Sequence, residues 1–240
     1  MELQEKNDDA GAGPPSAEGS KRVFLIRHGK SEYNEWRSRS FRNLSCICVC
    51  DPLIYDPCLS GNGVAQAEKL RGDIGQSADM KSSIELIVAS PLTRAIETAK
   101  IAFALDSEAP LVNAPALVCS LHRERLDTSG DVGMPTTELR QRYGDIFQFD
   151  DPTMGEEVWW EGGGGSGDAE SKTVSKERWA HARQRVAKFQ EWLLARPEHC
   201  IAVVGHSAFF KSLLGASRKL RNCEVCEILV TADGIRKVSS

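Results

Sequence analysis

The sequence predicts an α/β protein, a three-layer sandwich whose mainly parallel central sheet is covered by helices on both faces. Three observations carry that prediction. Residues 21–26, 84–89 and 200–204 are short apolar runs of strand length, each bounded by polar residues. Helix-length segments separate them, the alternation from which parallel sheets are built. The runs are near-continuously apolar rather than alternating, as strands buried on both faces require.

The elements follow in chain order. Residues 1–20, "MELQEKNDDAGAGPPSAEGS", contain no apolar run and several acids, and read as a flexible tail rather than a secretory signal, membrane span or transit peptide. Residues 21–240 are left as one domain, a size that buries a substantial core. After the first strand, residues 34–59 form a long segment holding Arg37, Arg39 and Arg42, which either reach a second acidic group on a ligand or sit in a solvated basic loop, and a helix over 64–74 follows "LSGNG". The second strand runs into a helix over 91–105, where Ser90 suits the N-cap and Pro91 the first helical position. Residues 150–172, including the "GGGGSG" stretch, read as a loop. The last long helix, 175–195, carries Trp179, Ala182, Val186, Phe189 and Leu193 at spacings of three and four, a stripe expected to pack on the core until Pro197 ends it.

Composition excludes several function classes. A net charge of -4 and a pI near 5.8 give no global attraction to nucleic acid or to an anionic membrane, so neither is an expected partner. No segment has the ~18 consecutive apolar residues of a spanning helix, and an intracellular, cytoplasmic location is expected, with the nucleus also open. In a reducing compartment the eight cysteines are expected to be free thiols. Cys46, Cys48 and Cys50 alternate as in a strand, and Cys223 and Cys226 form a single C-x-x-C, so no zinc ligand set is assembled and no metal or cofactor is expected.

In such a sheet, chemistry gathers beyond the carboxyl ends of the strands, where helix N-termini also point. The first strand runs into Arg27, His28 and Gly29, the second into Ser90 and then Arg94, and the third into Gly205 and His206. Two histidines and two arginines thus converge on one edge. Guanidinium forks match the oxygens of a tetrahedral dianion, and helix N-termini favour negative charge, so the ligand indicated is a phosphoryl group. A neutral imidazole fixed through one ring nitrogen can attack phosphorus with the other, forming a covalent phosphohistidine that water hydrolyses.

The segments "LIRHGKSEYN", "DPCLSGNGVAQA", "SPLTRAIETA", "LHRERLDTSGDVG" and "VVGHS" stand in the order and spacing typical of the histidine phosphatase superfamily, the phosphoglycerate mutase-like proteins, and the resemblance covers residues 21 to about 215. It implies the phosphoglycerate mutase-like fold. It also implies that His28 is the phosphorylated nucleophile and that His206 is the second histidine, with Arg27, Asn34 and Arg94 on the phosphate. Glu124 matches the proton donor that precedes the segment Asp131 to Gly133. Its flanks, His122, Arg123 and Arg125, equally suit a solvated charged loop. His122, His181 and His199 are expected at the surface or beside helices, and the adjacent Trp159 and Trp160 are expected to pack a loop onto the body.

Two departures bear on the substrate. Lys30 stands where many members have glutamate, and Glu124 is followed by "RLDTSGDVG" rather than the mutases' extended glutamate-arginine-histidine-tyrosine-glycine stretch. A mutase must keep its phosphorylated intermediate from water, which needs more enclosure than hydrolysis. The expected activity is therefore hydrolysis of a phosphomonoester, borne by a small metabolite or a phosphoprotein. A phosphoglycerate-type mutase, or a catalytically weak phosphate-binding scaffold of the same fold, are the alternatives.

Overall fold

The computed structural model describes residues 19–42, 51–149, 152–155, 157–160 and 176–238. Most of the predicted tail, the alternating Cys46, Cys48 and Cys50, and the glycine run of residues 162–167 lie outside them. A six-stranded sheet organises the rest in the order β3-β2-β4-β1-β5-β6. β1 (Lys21–Arg27), β2 (Leu86–Ala89) and β4 (Cys200–Gly205) are the three strands read from the sequence. β3 (Ala116–Val118) joins them in parallel, and β5 (Val225–Thr231) and β6 (Gly234–Lys237) add an antiparallel edge.

Pleating explains why the central strands read as solid apolar runs. In β1, Phe24 and Ile26 face one core together with Ile87, Ala89, Ala202 and Val204, while Val23 and Leu25 face the other with Leu86, Val88, Ile201 and Val203. The first core is covered by α2 (Gly61–Gln76), α4 (Thr93–Phe103) and α5 (Thr136–Tyr143), through Leu70, Ile74, Ile96, Phe103 and Leu139. The second is covered by α6 (Trp179–Ala195) and α7 (Ser207–Leu213), through Phe189, Leu193, Phe209 and Leu213. A short helix, α3 (Ala78–Ser83), links α2 to β2. This is the expected sandwich. Among the described residues, no helix is long and apolar enough to cross a membrane.

Four local expectations fail, each for a physical reason. The segment beginning at residue 34 is no loop at its start: α1 (Glu32–Arg42) carries Arg37, Arg39 and Arg42, with Glu32 and Glu35 in its first turn and Arg39 and Arg42 in its last, as the helix dipole favours. Ser90 does not cap α4; the buried carboxylate of Asp56 does, accepting the Thr93 N–H at 2.9 Å and the Thr93 hydroxyl at 2.7 Å. Trp179 is 53% exposed, because it opens α6 rather than lying within the stripe. His122 is fully buried, ringed by Phe189 and Phe209 and bonded through Nε2 to the Val204 carbonyl at 3.2 Å. Trp159, in contrast, packs into the core as expected: its Nε1 donates to the Met134 carbonyl at 2.8 Å, and its ring lies where a Cβ on Gly133 would stand. Cys223 and Cys226 are half-buried thiols with no disulfide.

Candidate active site

Sheet order assembles the site. β4 lies between β2 and β1, so the carboxyl ends of the three strands are neighbours. Arg27 is in register with Gly205, and the His28 N–H donates to the Gly205 carbonyl at 2.9 Å, which sets His28 beside His206. Their ring centroids are 5.1 Å apart. On the other side of His206, its Nε2 meets the Ser90 hydroxyl at 2.7 Å. This is what Ser90 does instead of capping a helix.

His28 is 3% exposed and fixed at both ends. Its Nδ1 lies 2.6 Å from the Gly29 carbonyl, an acceptor that requires the proton on Nδ1 and leaves the Nε2 lone pair free. Its own carbonyl accepts from Asn222 Nδ2 at 2.8 Å. The following loop is held in turn, since Gly29 N donates to Thr98 and Lys30 N to Gln66, while the Lys30 carbonyl accepts from both Ser60 N and Ser60 Oγ at 2.9 Å. Gly29 and Gly63 permit this approach: a Cβ on Gly63 would stand 2.0 Å from the Lys30 oxygen.

His28 lines a cavity of about 350 Å³ together with Arg27, Asn34, Arg94 and Glu124, so five of the six residues predicted from sequence meet in one space. The sixth, His206, is fully buried behind His28, and its Nδ1 has no hydrogen-bond partner. Arg94 enters from the first turn of α4, and Asp131 orients it through a 3.0 Å contact to one guanidinium nitrogen while the Gly130 carbonyl takes another. Arg27 anchors one end of its guanidinium on the Leu220 carbonyl at 2.8 Å, leaving its Nε buried without a partner. Asn34, at the start of α1, exchanges hydrogen bonds with Ser31.

Glu124 faces these groups across the cavity. Its carboxylate accepts the Ala208 and Phe209 N–H groups at 3.1 Å, supplying α7 with the cap that His206 lacks, and accepts the Arg125 N–H as well. Burial, then the charge of Asp131, pushes the Glu124 carboxyl above its usual range. Burial, then the charges of Arg94 and Arg27, holds His28 well below the ordinary imidazole value, and burial does the same to His206. The site therefore pairs an imidazole kept neutral at neutral pH with a carboxyl whose pKa is raised by burial and by Asp131, between two guanidinium ions. That combination can hold a phosphoryl dianion, attack it, and deliver a proton to a leaving oxygen.

Beyond the predicted residues the cavity is lined by Arg37, the one of the three basic side chains of residues 34–59 that reaches it, and by Asp127; Arg125, Trp179 and Lys219, with Tyr33 and Thr128, were not read as part of it. Arg125 stacks 4.2 Å over Trp179 and contacts Asp127 at 2.9 Å, while Asp131, read as part of the family segment and as an alternative candidate for the acid, is the carboxylate that holds Arg94. No local signal marks Lys219 or Arg125; residues remote in the chain bring them together. Among the described residues, no group of three histidine, cysteine or acidic side chains is arranged to hold a metal ion.

A sandwich built on a mixed, mainly parallel sheet, with a histidine and arginine pocket at its carboxyl edge, is the class this geometry defines. Residues 23–236 match the model of the histidine phosphatase superfamily (branch 1), and the chain belongs to that family. The match takes in the antiparallel β5 and β6, beyond the residue-215 limit read from the motifs. A phosphoglycerate mutase-like protein of Arabidopsis thaliana is 24% identical over 265 aligned residues, covering 95% of this chain and 90% of the relative. A protein named a probable phosphatase in Schizosaccharomyces pombe is 26% identical over 189 residues, covering 78% of this chain and 74% of its own length. In fold, the phosphoglycerate mutase of Bacillus anthracis superposes with a TM-score of 0.53 at 15% identity, over 92% of both chains.

Proposed function

We propose that the protein is a phosphatase that hydrolyses phosphomonoesters through a phosphohistidine on His28. The observation that carries this reading is the pairing, across one cavity, of a His28 imidazole whose Nδ1 is pinned by the Gly29 carbonyl with the raised carboxyl of Glu124. Arg27, Arg94 and Asn34 hold the phosphoryl oxygens, and His28 Nε2 attacks phosphorus. Negative charge on the equatorial oxygens is met by the guanidinium groups and by His206. As the P–O bond breaks, Glu124 protonates the departing alkoxide. The resulting carboxylate takes a proton from water, which attacks phosphorus and releases phosphate from His28, restoring both groups.

Hydrolysis rather than mutase transfer is supported by the sequence after Glu124, "RLDTSGDVG", which lacks the mutases' extended stretch, because a phosphorylated intermediate that must be re-docked needs more enclosure than hydrolysis does. The name of the fission yeast relative agrees with this reading.

The test is Glu124→Gln, which keeps shape but has no acidic proton. A positioned acid contributes roughly 10²- to 10⁴-fold, and an alkoxide needs it far more than a nitrophenolate. Single-turnover phosphoenzyme formation should therefore slow much more with an alkyl phosphate than with nitrophenyl phosphate. Equal slowing would remove Glu124 from the role and turn attention to Asp127 or Asp131.

A further inference from the structure

The acid of the proposed reaction stands on a strand-end segment with little regular structure of its own. Residues 120–122 make one turn of 3-10 helix and residues 129–131 another, and Glu124 lies between them. What fixes this segment comes from more than fifty residues away. Glu177, just before α6, has a carboxylate with no accessible surface, and it accepts from four nitrogens. Arg185 approaches it with Nε at 2.8 Å and a terminal nitrogen at 2.7 Å, Arg123 at 3.4 Å and His181 Nδ1 at 2.5 Å.

These partners grip the acid's segment on both sides. Arg185 also donates to the Leu121 carbonyl at 2.8 Å and the Arg123 carbonyl at 3.0 Å. Arg125 donates to the Glu177 carbonyl at 3.0 Å, and the Glu177 N–H donates to the Leu126 carbonyl at 2.8 Å. Residues 121, 123, 125 and 126 are thus all tied to Glu177 or Arg185, while Glu124 between them points the other way, into the cavity, where its carboxylate accepts the Ala208 and Phe209 N–H groups. Neither Glu177 nor Arg185 lines that cavity. Burial alone would push the Glu177 carboxyl up, but the hydrogen bonds and charge of Arg185 outweigh it and hold the group at about 2. It remains an anion throughout the working pH range, so the clamp does not open with ordinary changes of pH.

We infer that Glu177, through Arg185, is the positioning residue of the catalytic acid: the pair aims the Glu124 carboxyl at the bridging oxygen of the substrate. The inference rests on the reading of Glu124 as proton donor. Two carboxylates are thereby divided by environment: one is paired with arginines and kept ionised, and the other is withdrawn from water and biased towards its acid form. Loss of the anchor displaces the acid while leaving His28, Arg27 and Arg94 on their own strands and helix. Misplacement by 1 Å costs up to roughly 10²-fold in such a step.

The test uses Glu177→Gln and the milder Arg185→Lys, which keeps the charge but not the fork on the Glu177 carboxylate together with the third nitrogen that reaches the Leu121 and Arg123 carbonyls. Each is measured for kcat and KM on an alkyl and a nitrophenyl phosphate, and for exchange of the Ala208 and Phe209 amides, which Glu124 holds. The alkyl-to-nitrophenyl ratio of kcat should fall about 10-fold, within the range for such misplacement. KM should stay near wild type, and the two amides should lose protection while β1 and β4 keep theirs. In a Glu124→Gln background, Glu177→Gln should produce no further change in the ratio, as two residues acting through one group do. If Glu124→Gln leaves the ratio unmoved, the acid assignment fails, and the amide exchange alone then decides whether Glu177 positions that carboxyl. Should Glu177→Gln not fold, Arg185→Lys carries the same measurements. Unchanged amide protection with an unchanged ratio in a folded variant overturns the inference.

Discussion

Replacing Gly63 by alanine tests how the nucleophile is held. The added Cβ would stand 2.0 Å from the Lys30 carbonyl oxygen and 2.9 and 3.0 Å from its C and N, all backbone atoms. Ordinary contact begins near 3.4 Å, so the α2 start and the loop after His28 must separate by about 1.4 Å. That movement breaks the two Ser60 hydrogen bonds to Lys30 and shifts Gly29, whose carbonyl fixes the His28 ring. Overpacking of this kind costs about 1–3 kcal/mol. At roughly 2–4 °C per kcal/mol for a chain of this size, Tm should fall by about 2–12 °C. Displacing the imidazole should also lower kcat/KM for nitrophenyl phosphate by up to ~10²-fold. Gly61, two residues earlier on the same turn, is the control, because a Cβ there meets nothing within 4 Å and Gly61→Ala should be neutral or slightly stabilising. Thermal melts and steady-state kinetics decide. If Gly63→Ala matches Gly61→Ala in both, the close approach does not position His28.

Three further outcomes follow from the same structure. The acid limb of kcat/KM should lie below the usual imidazole value, because burial keeps His28 neutral there, and the alkaline limb above the usual carboxylate value, because burial and Asp131 raise Glu124; Glu124→Gln should remove the alkaline limb for an alkyl phosphate. His122 is held to about 3 by burial, so its folded value lies below the unfolded 6.5, the unfolded state binds the extra proton, and stability is lost as pH falls from 6.5 towards 3. Denaturant melts should show a shallower loss over that window in His122→Leu, and an identical slope would contradict its neutral burial. With 3-phosphoglycerate and a bisphosphate primer, isomerisation should be negligible beside phosphate release, and efficient formation of 2-phosphoglycerate would make the protein a mutase.

The legible parts of this molecule are those fixed by local physics. Strands buried on both faces read as solid apolar runs, and residues at their carboxyl ends could be assigned to one edge before any geometry was known. Five of the six site residues accordingly share the cavity. The antiparallel edge was missed because β5 is half-buried and β6 only four residues long, with charges along both. His122 is expected at the surface or beside a helix, in a run of charged residues, yet the Glu177 carboxylate, fifty-four residues beyond Arg123, draws the Arg123 guanidinium inward. Glu177 stands just before α6, and at intervals of four residues His181 and Arg185 follow on one helical face, which also carries the buried Ala182 and Phe189. Polar residues on an apolar stripe were the available signal for a buried ionic cluster. Which carbonyls that cluster would hold depends on chain contacts that no window of sequence contains.

The most direct measurement is rapid quench of the protein mixed with a phosphomonoester, followed by mapping of the bound phosphoryl group. The account predicts an acid-labile, base-stable phosphoenzyme on His28, formed before phosphate is released and absent from His28→Ala. A phosphoenzyme that persists in His28→Ala, or phosphate release from wild type with no phosphoenzyme at any time, would contradict it.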